Sequence, residues 1–284
     1  MANQCEPEED RLRQVRRRRP QEDRPTEHAA PTAPDASGTT AGSPVLPAEW
    51  RWNAVTVDAS VRRLDYGFFV RPAEETGTGA PRVEPCLGYL IEHPDGLLLV
   101  DSGMGSHPEV DEHYRPHRRA LADALADVGA RVQDVRLVAN CHLHFDHCGG
   151  NPQLTGRPVL TQRVELEAAR GPDYTLPELI DAPGLRYEQL DGEAEVLPGV
   201  LVVPTPGHTP GHQSIVVRRS DGTVIVAGQS HDTSAAYSAD VLARQAAGQG
   251  HAPPLPVPPA WIDRLQSFDP ARVVFAHDHS VWMP

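Results

Sequence analysis

The sequence contains no lysine: all 26 basic residues are arginine. Among so many alanines, prolines and glycines, that bias reads as GC-rich coding rather than as a functional choice. Acidic side chains outnumber the arginines and leave a formal net charge of −13. A chain of that charge is a poor fit to a nucleic-acid backbone unless it carries a basic face. An anionic surface aids solubility and disfavours highly anionic substrates. No apolar run approaches the ~20 residues that a bilayer-spanning helix needs. The Arg-rich stretch Arg11–Arg19 is followed by proline, glutamate and threonine instead of an apolar core, so no export signal is expected. The four cysteines, Cys5, Cys86, Cys141 and Cys148, show neither paired metal-type spacing nor the density of a small secreted domain. They read as reduced thiols of a cytoplasmic protein. A serine-centred nucleophile elbow is absent too, so acyl-enzyme chemistry is not indicated.

Residues 1–47 hold seven arginines against eight acidic residues, many prolines and almost no aliphatic side chains. Such a segment buries too little apolar surface to offset its ordering entropy. It reads as a disordered tail in preference to a partner-binding arm centred on Arg16–Arg19, and it leaves 48–284 as the folded domain.

From Trp50 onward the periodicity is legible. Leu87–Ile91 and Leu97–Val100 are apolar runs joined through Pro94-Asp95-Gly96, a hairpin signal. Arg118–Val128 carries Leu121, Leu125 and Val128 at helical spacing and is closed by Gly129. Val135–Ala139 is a short buried strand that runs into Asn140-Cys141-His142, and Glu165–Ala169 sits in a short helix. Strands are expected at Val200–Val203, Ser214–Val217 and Thr223–Ala227, and a helix over Ala239–Ala247. An extended connector follows at Pro253–Pro259, then a helix at Trp261–Gln266 and a last strand, Arg272–Phe275, that delivers His277. Two strand-rich halves, each with helices, suggest two sheets packed face to face with helices outside.

The chemistry is concentrated in His142-Leu143-His144-Phe145-Asp146-His147. Four potential ligands within six residues follow directly on a buried strand. Two histidines spaced by two cannot share a helix face, whereas a strand end or loop can aim both at one point. Neutral imidazoles bind zinc, and a carboxylate adds the charge that holds a second cation nearby. His208, in the Pro- and Gly-fixed loop Pro204–His212, and His277 lie at strand-to-loop junctions that could present further ligands.

On these residues the chain resembles the metallo-β-lactamase superfamily, most closely its N-acyl-homoserine lactonase-like branch. The resemblance runs from Trp50 to the C-terminus. It includes Leu99–Met104, the His142–His147 signature with Cys148-Gly149-Gly150-Asn151, the His208 loop leading into Gln213-Ser214, and His277-Asp278. It implies an α+β, αββα four-layer sandwich with two metal sites at the sheet edges. His142, His144 and His208 would form one site, and Asp146, His147 and His277 the other. The cofactor would be two zinc ions or another divalent transition metal. Asp101 would orient the ligand loop by hydrogen bonds or serve only as a turn residue, and His212 is structural in preference to ligating.

The resemblance further implies a metal-dependent hydrolase acting on a small-molecule substrate. Metal-bound hydroxide would open a lactone or cleave a carboxylic ester, with Asp146 as proton donor to the leaving alkoxide. A thioesterase or other ester hydrolase on the same centre is the alternative, and a metal-binding protein that has lost catalysis is the non-enzymatic one.

The sequence departs from the family where Ala227-Gly228 leads to Gln229 in place of a carboxylate that bridges both metals. Gln229 binding through its amide oxygen is the favoured outcome. Takeover by Asp232 or His231, and a single strongly filled site, are the others. Lactonase relatives carry a tyrosine three residues further on, where this chain has Asp232, and Tyr237 is the candidate to replace it.

Overall fold

The structure, a computed structural model, describes residues 56–172, 174–250 and 258–284. The expected tail at 1–47, the domain boundary at 48 and most of the expected connector at 253–259 lie outside the described residues.

The chain enters a long hairpin system: β1 (Ser60–Arg71), β2 (Arg82–His93) and β3 (Gly96–Val100). After α1 (Pro108–Tyr114), β4 (His117–Arg118) and α2 (Leu121–Asp127) come β5 (Val135–Ala139) and the single turn α3 (Phe145–Cys148). Then follow β6 (Pro158–Gln162), α4 (Arg163–Ala169), α5 (Pro177–Ile180) and β7 (Arg186–Leu190). The second half runs β8 (Ala194–Leu197), β9 (Val200–Pro204), β10 (Gln213–Val217) and β11 (Thr223–Val226). It ends with α6 (Ser234–Gly248), α7 (Trp261–Gln266) and β12 (Pro270–Val274). One sheet has the order β4-β1-β2-β3-β5-β6-β7 and the other β12-β11-β10-β9-β8.

The period-two alternation of strand side chains explains the layering. Tyr89, Ile91, Leu98, Val100 and Ala139 face Val200, Val202, Ile215, Val217 and Val226 of the second sheet. Their neighbours Leu90, Leu99 and Val138 point the other way and pack on Leu121, Ala124 and Leu125 of α2. In the second sheet Leu201, Val203, Val216 and Ile225 are buried as well, so its outer face is covered too. Strands buried on both faces read as continuous apolar runs, as Leu97–Val100 and Val200–Val203 do. The architecture is the α+β sandwich of two mixed sheets with outer helices.

Several expected boundaries moved for identifiable reasons. The helix expected from Arg118 begins at Leu121, because Arg118 pairs with Gly67 across β4 and β1. The helix expected at Ala239 starts five residues earlier, where the Thr233 side chain accepts a hydrogen bond from Ala236 N–H as an N-cap. The last strand is Pro270–Val274, so Phe275 already belongs to the exit loop. The twelve-residue β1 was not expected, since its exposed Arg62, Arg63 and Phe68 blur the alternation and the register slips between Asp65 and Phe68.

The loops after β3, β5, β9, β11 and β12 open at one edge of the sandwich, where the sheets are stitched together. Gln213 N–H donates to Cys141 C=O at 2.8 Å and Leu87 N–H to Ala276 C=O at 2.9 Å. The loop after β3 is zipped to α3: Ser102 N–H donates to His147 C=O, Gly105 N–H to Phe145 C=O, and Gly149 N–H to Gly103 C=O. Gly149 is required for that approach, because a Cβ there would lie 1.9 Å from Gly105 N and 2.1 Å from Met104 C. Backbone cannot yield as a flexible side chain can. Gly149→Ala is therefore expected to cost at least about 3 kcal/mol of stability, read by urea denaturation. A loss under about 1 kcal/mol would show that the two loops separate freely.

Candidate metal centre

β5 ends at Ala139 and the chain turns through Cys141 to present His142 and His144. α3 then places Asp146 and His147 on its single turn, with His144 as N-cap. His208 arrives from the loop after β9. His277 follows β12, held by Ala276 N–H donating to Gly228 C=O at 2.9 Å.

These six side chains form two groups. His142 Nε2 and His208 Nε2 lie 2.9 and 3.2 Å from His144 Nδ1. Asp146 Oδ2 lies 3.6 Å from His147 Nε2 and 3.4 Å from His277 Nε2, and the two ring nitrogens are 3.3 Å apart. Tetrahedral zinc with bonds of about 2.0–2.1 Å sets its donor atoms about 3.3 Å apart. The rings of His142 and His147 stand 4.0 Å centroid to centroid, so the two groups are adjacent.

The surroundings fix which ring nitrogens face inward. Asp101 Oδ1 accepts Cys141 N–H at 2.8 Å, while Oδ2 accepts the Cys141 thiol at 2.8 Å and His147 Nδ1–H at 2.9 Å. His277 Nδ1–H donates to Pro85 C=O at 2.9 Å. Both imidazoles therefore turn Nε2 towards Asp146, as metal ligands held by an outer partner do. His212 sits just behind. Its Nε2 accepts Gln229 N–H at 3.1 Å and its Nδ1 meets Thr205, so both nitrogens are engaged away from the donors.

Burial, and then the neighbouring imidazoles, push the His142 pKa well below its ordinary value. Burial takes His144 down to about 4 and His208 to about 3, with the inward nitrogen of His208 turned against His144 although its outer rim is exposed. Burial disfavours ionised Asp146, yet the facing His147 and His277 outweigh it and bring the carboxyl to about 2. Burial also opposes charge on His147, but the carboxylates of Asp101 and Asp146 raise it to about 9.

Gln229 is buried at the site and lines the same cleft as His144, Asp146 and His208. A side-chain hydrogen bond from His147 to Gln229 helps raise the His147 pKa, while Gln229 Nε2 lies 3.5 Å from Asp232 Oδ1. The other three candidates from the same stretch are not brought to the donors. Asp232 pairs with Arg82 at 2.7 Å and lies 3.9 Å from Arg71. His231 is spanned between Ser230 Oγ and Asp240 Oδ2. Tyr237 has no exposed surface and packs on Phe275 and Trp282, its hydroxyl accepting from Gln266. Helix α6 begins sooner than expected and carries Tyr237 into the core.

The cleft beside the donors has a volume of about 280 Å³. Phe69, Tyr114 and Phe145 form an aromatic cluster along it, with Tyr114 stacked on Phe145 at 5.0 Å. Arg71 and Glu75 also line it, and Tyr174 lies 4.7 Å from the His144 ring. Arg71 is held by two hydrogen bonds to buried Glu84, which also accepts from Arg82. Neither Arg71 nor Glu84 carries a motif, and only the pairing of β1 with β2 brings them together, while Phe69, Tyr114 and Phe145 meet from β1, α1 and α3.

The two groups should respond differently to pH. A ligand must be deprotonated to bind metal. His147, with its metal-free pKa raised to about 9, keeps its proton below that pH, so each unit of acidification should weaken the second group about tenfold. His144 and His208 are already neutral at pH 7, so the first group should be flat. Zinc titrations of metal-free protein at about pH 6.5, 7.5 and 8.5 should resolve one steep and one flat affinity. Two parallel pH dependences would contradict this assignment of protons.

Comparison with known proteins agrees with the geometry. An N-acyl homoserine lactonase of Bacillus sp is 36% identical over 151 residues, covering 47% of this chain and 58% of the relative. The lactonase AttM of Rhizobium radiobacter is 30% identical over 165 residues, covering 50% and 63%. The chain thus spans about three-fifths of the length of the curated relatives it matches. The solved structure of an N-acyl homoserine lactone hydrolase with N-hexanoyl-L-homoserine bound at its catalytic metal centre superposes with a TM-score of 0.64. It is 26% identical, over 79% of this chain and 95% of that one. Residues 81–277, which hold all six donors, match the profile of the metallo-beta-lactamase superfamily, and it is to this superfamily that the chain belongs.

Proposed function

We propose that the protein is a metal-dependent hydrolase that opens lactones of the N-acyl homoserine class, with 48–284 as its catalytic domain. The observation that carries this reading is the pair of adjacent three-donor groups opening onto an aromatic-lined cleft. The names of the lactonase relatives support the substrate class. Two zinc ions suit the donors, with His142, His144 and His208 holding one and Asp146, His147 and His277 the other. Bound there, zinc would supply a water acidified towards neutrality and a Lewis acid for a carbonyl oxygen.

The chain's own residues do the rest. Asp146 borders the cleft as an ionised carboxylate, placed to accept a proton from the attacking water and return it to the leaving alkoxide. Phe69, Tyr114 and Phe145 offer an acyl chain an apolar wall and keep water from it. Gln229 contributes its amide oxygen beside His147, and Asp101 keeps His147 in the ligating tautomer. The buried free thiols Cys86, Cys141 and Cys148 suit a reducing, cytoplasmic setting.

Zinc-loaded full chain should ring-open N-hexanoyl homoserine lactone, followed by titrating the acid released. Chelation should abolish turnover, and Asp146→Asn should lower it about 10²–10⁴-fold. Faster turnover of a thioester or aryl ester would move the reading to those substrates. Metal bound without any turnover would leave a binding protein.

Gln229→Asp is a separate test. A carboxylate beside two dications should tighten the weaker ion by more than about 1 kcal/mol even at an effective dielectric of about 20. Unchanged affinity in zinc titrations would show that the side chain at 229 takes no part in the metal sites.

A further inference from the structure

Behind the first donor group lies a second buried carboxylate. Glu165, on α4, has no exposed surface. It accepts four hydrogen bonds, all from neutral donors: Leu143 N–H at 2.8 Å, Thr209 Oγ1–H at 2.7 Å, Gly211 N–H at 3.1 Å and the Tyr174 hydroxyl. Burying a carboxyl group is costly and becomes tolerable only when its oxygens are saturated in this way. The four donors are not scattered over the fold. Leu143 lies between His142 and His144, Thr209 follows His208, Gly211 closes the same loop, and Tyr174 lies against the His144 ring. The contact is close-fitting as well, because a Cβ at Gly211 would stand 2.3 Å from Glu165 Cβ.

We propose that Glu165 is the positioning residue of the first donor group. It clamps the His142–His144 segment of one sheet to the His208 loop of the other, and so sets the spacing at which three imidazoles meet. The inference rests on the reading that these imidazoles hold a metal ion, and extends it to a residue that touches neither metal nor substrate. No other side chain among the described residues hydrogen-bonds to both Leu143 and the 209–211 loop. The clamp thus adds to the His208–His144 ring contact and the Gln213–Cys141 backbone bond a side-chain link that holds the Leu143 backbone and the 209–211 loop on one carboxylate. A glutamine at 165 keeps the shape but presents an NH₂ where two donors expect an oxygen, so it should loosen one loop without emptying the space.

The test compares Glu165→Gln with Leu166→Ala, which opens a cavity in the same helix and leaves the clamp intact. Zinc affinity by chelator competition should fall about 10–100-fold at the group of His142, His144 and His208 in Glu165→Gln. The group of Asp146, His147 and His277 should stay as in the wild type. The Co²⁺ absorption bands of the first group should shift in Glu165→Gln and not in Leu166→Ala. In metal-free protein, amide exchange at Leu143 and Gly211 should quicken at least about tenfold in Glu165→Gln alone. Wild-type zinc affinity in Glu165→Gln, or an equal loss in Leu166→Ala, would overturn the proposal. Wild type that binds no transition metal would overturn the metal reading instead, and the amide-exchange comparison would still decide whether the clamp exists.

Discussion

Asp101 leaves β3 with φ at 59°, a left-handed conformation that aspartate tolerates better than most residues. Its buried carboxylate accepts from the Cys141 amide, the Cys141 thiol and His147 Nδ1. Those three bonds join the ends of two parallel strands to the turn that carries Asp146 and His147. That turn, α3, has four residues and would not persist alone, since helix nucleation is unfavourable at such length. Its order is borrowed from the loop at 101–105 through backbone hydrogen bonds, and from Asn140, whose Nδ2 donates to His147 C=O. Remove the Asp101 acceptor and a buried amide, a thiol and an imidazole lose their partner together, each at the cost of an unsatisfied polar group.

The charge pattern explains why Gln229, and not Asp232, stands beside the donors. Asp232 lies three residues on, but Arg82 and Arg71 draw it to the Glu84 cluster on β1 and β2. Among the six donor side chains Asp146 is the single anion, and it faces an imidazolium at His147. The first group is built from imidazoles that burial keeps neutral, so it can accept a cation without releasing a proton. The second group must lose a proton to do so. That asymmetry follows from where Asp101 and Asp146 sit, and it sets which group's affinity for a cation should depend on pH.

Much of this was legible in the sequence, for reasons that can be traced residue by residue. Val135–Ala139 and Trp261–Gln266 are found where apolar spacing places them, because burial on regular elements imposes a simple period. The segment His142–His147 declared itself through density of ligand types. What escaped notice depends on pairing distant in the chain. β1 alternates poorly because a register slip interrupts it. Arg71 and Glu84 look like ordinary surface charges until the β1–β2 pairing brings them together. Glu165 reads as one polar position on an amphipathic helix, and only the arrival of the 208–211 loop shows why it is buried. Tyr237 misled in the opposite direction: closeness in sequence to Gln229 suggested the cleft, and an early helix start turned it into the core.

The buried carboxylates of Asp101 and Glu165 share a logic. Where the sheets diverge at the site edge, the loops cannot satisfy their backbone groups by ladder pairing, and water is excluded from much of the seam. Side chains complete the bonding instead. Gln213 donates to Asn140 C=O and Leu160 C=O, and Asn151 links Asn140 to Ser102. At two points the acceptor is an acid in place of an amide, and those points lie behind the donors: Asp101 behind His147, Glu165 behind the His142–His144 segment and the His208 loop. An acid that only accepts hydrogen bonds does two things an amide cannot. It saturates several donors at once, and neither of its oxygens is exchanged for an N–H that would compete with them. A chain that carries Gln229 beside its donors thus keeps an accepting acid behind each group, Asp101 on the His147 ring and Glu165 on the backbone of the His142–His144 segment and the His208 loop.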